Sequence, residues 1–154
     1  MVLARIAVLS TLLVSCALPQ STDACVEQFV QERLSYWSKE LTLSDWKISV
    51  SMTARTGLKP RTLGGIRWDK RKKSAEISVL APSEYRMSFE DMLKDMEFTL
   101  VHELVHLELA SLPRSEASRT NEEKAVNRLA EALLKLNASK SPVHCGARDN
   151  LRTE

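Results

Sequence analysis

The chain has 154 residues, with 22 Lys+Arg against 20 Asp+Glu, three His and three Cys. This length suits one domain with a sizeable core, and a content of 44% apolar and 27% charged residues excludes a disordered or low-complexity chain. The glycines, Gly57, Gly64, Gly65 and Gly146, cannot spell a P-loop or a GxGxxG turn, and Cys16, Cys25 and Cys145 are too few for a four-thiolate zinc or iron–sulfur site.

Residues 1–24 read as an export segment. Arg5 follows the amino terminus, and Ile6 to Leu18 is an apolar run of 13, too short to span a bilayer permanently. Leu13-Val14-Ser15-Cys16 resembles a bacterial lipobox, which would attach a lipid anchor at Cys16. The expected location is the bacterial periplasm or cell envelope, or the medium; a misassigned start codon would leave the chain cytoplasmic. In an oxidising compartment Cys25 and Cys145 are free to pair.

The folded domain is expected over 25–137, with a loose polar tail over 138–154. Val26, Phe29, Val30, Leu34 and Trp37 recur at helical spacing and predict an amphipathic helix from Asp23 to about Leu41. Trp46 to Met52 alternates with a period of two and reads as a strand, and Leu63–Asp69 and Ala75–Leu80 are two more, joined by the basic turn 70–73. Ser88 opens a long helix, roughly 89–111, with Asp91 in the place of the usual capping-box Glu; Pro113 stops it. Residues 114–120 read as a loop, and Thr120-Asn121-Glu122-Glu123 as a second capping box opening a helix to about Asn137. Its core stripe is expected to run through Glu122, Val126, Leu129, Leu133 and Leu136.

The chemistry lies in His102-Glu103-Leu104-Val105-His106. Histidines four apart on a helix share one face and reach a single ion at about 2.0–2.1 Å. Glu103, rotated about a hundred degrees from His102, flanks that ion instead of binding it. A third protein ligand is needed, with a fourth position left for water. Leu109 and Leu112 exclude the histidine class that continues the same motif, and His144 falls in the tail. The remaining carboxylates are Glu108, Glu116, Glu122 and Glu123, of which Glu108 lies on the wrong side of its helix. Glu123 is preferred because Asn127, one turn on, is placed to accept the free ring N–H of His102. Glu122 is the runner-up.

H-E-L-V-H followed by E-K-A-V-N-R-L-A-E-A-L-L resembles the small gluzincin-type metallopeptidases. D-W-K-I-S-V, A-E-I-S-V-L and T-L-V-H-E-L-V-H-L resemble SprT-like and phage-type metallopeptidases, and E-x-x-x-N-x-x-A is similar to ImmA/IrrE-like peptidases. The resemblance implies an α+β minimal zincin fold: a small sheet of three or slightly more strands on the HExxH helix, with an N-terminal and a C-terminal helix. It implies one Zn²⁺ held by His102, His106 and Glu123, with Glu103 as general base for a zinc-activated water that hydrolyses peptide bonds in a peptide or protein substrate. Tyr85 and His144 are available to stabilise an oxyanion, but no spacing singles them out.

Charge is uneven along the chain. Residues 55–73 carry a local +7 and residues 84–108 a local −5. The basic turn 70–73 offers a contact for nucleic acid backbone, although Trp68 is the only aromatic near it. The alternative to an enzyme is therefore a non-catalytic, zinc-stabilised module that binds DNA or a protein partner.

Overall fold

A computed structural model of the chain describes residues 22–113 and 116–138. The export run, Cys16 and the tail with His144 and Cys145 lie outside the described residues. Thr22–Ala24, counted above with the export segment, open the first helix.

The order is α1 (Thr22–Glu40), β1 (Lys47–Thr53), β2 (Gly64–Asp69), β3 (Ser74–Leu80), α2 (Phe89–Glu108) and α3 (Glu116–Ala138). Among the described residues the fold is α+β, three α-helices with a small mixed sheet. Strand order is β1-β3-β2, with β3 parallel to β1 and antiparallel to β2. β3 is accordingly the apolar centre: Ala75, Ile77, Val79 and Leu80 are all buried. The turn between β2 and β3 is held by Asp69, whose Oδ1 accepts from the N–H of Arg71 (2.9 Å) and Lys72 (3.2 Å). Lys73 then takes a left-handed φ of 48° and pairs with Asp45 at 2.9 Å, and Arg67 pairs with Glu76 at 3.3 Å.

α2 is the element on which the others pack, touching α1, α3, β2 and β3. Its start follows from Ser88, whose Oγ accepts the Asp91 N–H at 3.1 Å. Asp91 is one methylene shorter than the Glu of a full capping box, and its Oδ2 takes the Ser88 hydroxyl at 2.6 Å. The helix ends at Glu108, three residues short of expectation, because Leu109–Ser111 tighten into a 3₁₀ turn before Pro113.

α1 lays Val26, Phe29, Val30, Leu34 and Trp37 on the core. It is fastened to α2 by a buried carboxylate. Glu97 Oε1 accepts from Trp37 Nε1 at 2.8 Å and from Arg33 Nε at 2.6 Å, and the Arg33 guanidinium also faces the rings of Tyr36 and Trp37. Tyr36 Oη donates to Asn137 Oδ1 at 2.7 Å and ties α1 to the end of α3. Cys25 is disulfide-bonded, and its partner lies outside the described residues.

Two expectations for the last helix are corrected. It begins by Glu116, so Thr120 and Asn121 lie inside it and cap nothing. The residues just before Thr120 carry no helix breaker, so the helix runs through them. The buried stripe runs through Val126, Ala130 and Asn137, whereas Leu129 and Leu136 are exposed. A helix seated on one neighbour buries a narrower arc than its apolar content suggests.

Replacing Glu97 with alanine strands the Arg33 charge in the core and removes the acceptor of Trp37. The expected loss is about 3–5 kcal/mol, seen as a lower urea midpoint with an unchanged m-value. A loss below about 1 kcal/mol would show that this ion pair does not hold the helices together.

Candidate metal centre

The motif helix and α3 meet at the two histidines. His102 and His106 Nε2 stand 3.1 Å apart, and their side chains are 15% and 10% exposed. The Glu123 carboxylate faces both, at 3.4 Å from each Nε2. One donor atom from each of the three lies within 4.8 Å of the others.

The second nitrogen of each ring fixes its tautomer. His102 Nδ1 lies 2.9 Å from Asn127 Oδ1, and His106 Nδ1 lies 3.1 Å from Glu122 Oε1. Both partners are acceptors, so each Nδ1 carries the proton and donates. Each Nε2 then presents a bare lone pair, and the two lone pairs converge with a carboxylate. Three acceptors facing one another without a donor repel unless a cation joins them. Burial, with His106 alongside, pushes the His102 imidazole below its ordinary pKa, only partly offset by Glu123 and Asn127, so a proton is poorly suited to be that cation. Ligands at about 2.0–2.1 Å from a tetrahedral zinc stand roughly 3.3 Å apart. The two Nε2 atoms, 3.1 Å apart, are near that spacing, and Glu123 faces each of them with a different carboxylate oxygen at 3.4 Å. The donor set fits Zn²⁺, which His102, His106 and Glu123 together could hold.

Glu103 is 7% exposed and lies beside this cluster. Burial raises its carboxyl to about 7, the Glu123 charge adds to the rise, and the Lys59 ammonium opposes it. A carboxyl poised there takes up and releases protons at neutral pH. The start of β2 packs directly against it. A Cβ at Gly64 would lie 2.3 Å from Thr99 Cγ2, 2.9 Å from Ser78 O and 3.5 Å from Glu103 Oε1, so only glycine lets the strand approach the helix this closely.

The structure thus groups His102, His106, Glu123, Asn127 and Glu103, and places Glu122 behind the His106 ring. Glu108 is exposed on α2. Tyr85 faces Asp95 instead, where burial and that carboxylate hold its phenol above the ordinary range. Asp95 is two turns, roughly 10 Å, before His102. Sequence reasoning missed Gly64 and Lys59. A Gly-Gly pair in a strand pattern is a signal of close backbone approach. Nothing in the sequence ties Lys59 to Glu103, because only the loop from β1 to β2 brings them near. Compared with known protein families, with characterised proteins and with solved structures, the chain matches none.

A carboxyl whose folded pKa is raised favours the fold most below its ordinary value of 4.5, and that contribution is lost as pH climbs through about 7. In metal-free protein, Glu103→Gln is therefore expected to be near wild type in stability at pH 5. By pH 8 it should be more stable by on the order of 2 kcal/mol. Unfolding in urea with a chelator at both pH values checks this, and a difference that does not grow with pH contradicts the raised pKa.

Proposed function

We propose that this chain is a zinc-dependent metallopeptidase of minimal zincin type, as its resemblance to SprT-like and other gluzincin-type peptidases implies. The observation that carries the reading is the convergence of two Nε2 lone pairs and the Glu123 carboxylate beside a buried Glu103. Three protein donors leave a coordination position for water or substrate, which separates this arrangement from a closed structural site. Glu123 is 49% exposed, so the cluster opens to solvent on that side.

Zinc, when bound, supplies Lewis acidity toward a water and a peptide carbonyl. The residues of the chain do the rest. His102 and His106 hold neutral donors in place through their Nδ1 bonds. Glu103 accepts the proton of the attacking water on its carboxylate and returns it to the leaving amine nitrogen. Among the described residues β2 pairs on one side only, and its glycine start runs past Glu103. An extended peptide added to that edge would lie across the centre.

Purified residues 25–154 should carry about one zinc per chain and hydrolyse unstructured peptides, with hydrolysis abolished by chelation and restored by zinc. Glu103→Gln should keep the metal and lose at least about 100-fold in turnover. A chain that binds zinc but hydrolyses no peptide would leave a metal-stabilised binding module, and a variant as active as the wild type would remove Glu103 as the base. A variant that loses its zinc would make Glu103 a ligand.

A further inference from the structure

The two histidines are alike in sequence but unlike in what stands behind them. His102 Nδ1 meets a neutral amide, Asn127, whereas His106 Nδ1 meets a carboxylate, Glu122. Asn127 sits at an exposed position, but the Glu122–His106 pair is sheltered, with side chains 18% and 10% exposed. Glu122 and Glu123 are consecutive on α3 and so diverge by about 100° around its axis. That divergence brackets a single ring: Glu122 reaches Nδ1 at 3.1 Å and Glu123 reaches Nε2 at 3.4 Å. The ring nitrogens point away from each other, so a carboxylate seated on Nδ1 is on the far side from the converging donors. Glu122 therefore stands apart from the converging donors, although its residue type and spacing suit a third ligand.

We infer that Glu122 is a charged positioning residue for His106: it locks the ring with Nε2 bare and makes His106 the more electron-rich of the two metal donors. The inference rests on the metal-centre reading above. A hydrogen bond to a carboxylate is about twice as strong as one to a neutral acceptor. It strengthens the hold on the ring and its donor character toward a metal, as outer partners of metal-bound histidines do generally. The sheltered setting preserves that effect, because solvent competes poorly for either partner. Asn127 orients His102 without adding charge. The centre is therefore asymmetric, with one histidine held by a charge and the other by a dipole.

The second turn of α3 is where this is built. A helix starting at Thr120 would put both glutamates in the first turn, where free N–H groups and the macrodipole account for acidic residues without any site. With the helix running from Glu116, that explanation no longer covers them.

The test is zinc affinity, measured by competition with a chromophoric chelator, on wild type, Glu122→Gln, Glu122→Ala and Asn127→Ala. Circular dichroism in chelator checks each fold, and Co²⁺ absorption reports the ligand geometry. Glu122→Gln keeps shape and an acceptor but removes the charge. It is expected to weaken zinc roughly 10-fold, and Glu122→Ala to approach 100-fold. Asn127→Ala should fall short of Glu122→Ala. All variants should keep the tetrahedral Co²⁺ bands of the wild type. Unchanged zinc affinity in Glu122→Gln and Glu122→Ala overturns the inference while leaving the metal centre standing. Loss of the tetrahedral bands in Glu122→Gln overturns it in favour of Glu122 as a ligand. A Glu122→Gln chain that does not fold in chelator overturns it in favour of a purely structural role. A wild-type chain that takes up no zinc overturns both readings before any variant is compared.

Discussion

The arrangement on which the rest of the structure turns is a repulsion. Two imidazole lone pairs and a carboxylate are brought within 3.4 Å of each other at the junction of α2 and α3. Such a group is unfavourable in an empty site and favourable around a cation, because the electrostatic sign reverses when the ion arrives. Its cost falls on the scaffold, which must hold both helices in place independently of the ion.

The scaffold meets that demand with a dry, interlocked centre. Met96, Leu100, Val101, Leu104 and Leu107 of α2 are all but fully buried, so the helix cannot roll its histidines away from α3 without exposing apolar surface. Glu97 is fastened to Arg33 and Trp37, which fixes α2 against α1. On the sheet side, Gly64 lets β2 close upon Thr99 and Glu103, and the water excluded there is what raises the Glu103 carboxyl. The same packing that stabilises the fold thus also sets the protonation of the Glu103 carboxyl.

Much of the candidate site was legible in the sequence because its information is local. Histidines four apart on an amphipathic run can only share a face, and Asn127 four residues after Glu123 follows the same periodicity. Where the reading of α3 failed, it relied on a local signal that a longer-range one overrode. Thr120 has the makings of a cap, but the chain is already helical from Glu116, so the cap falls inside a helix. Leu129 and Leu136 fit the apolar stripe, yet α3 turns Val126, Ala130 and Asn137 inward and leaves those leucines at the surface. A helical pattern gives the period of a stripe; the neighbour that covers it sets the centre and width.

By itself the sequence determined the elements, the donor types and their spacing along α2, since these depend on backbone geometry within a few residues. Tertiary structure decided where Glu122 and Glu123 stand relative to the His106 ring. Adjacent carboxylates on one helix are chemically equal. Only the angle at which α3 lies on α2 sends one to Nε2 beside the converging donors and the other to Nδ1 behind the ring. It also decided that Glu103 is buried and that Lys59 is near it, because both depend on where β2 and the loop before it come to rest, and no spacing in the chain encodes that contact.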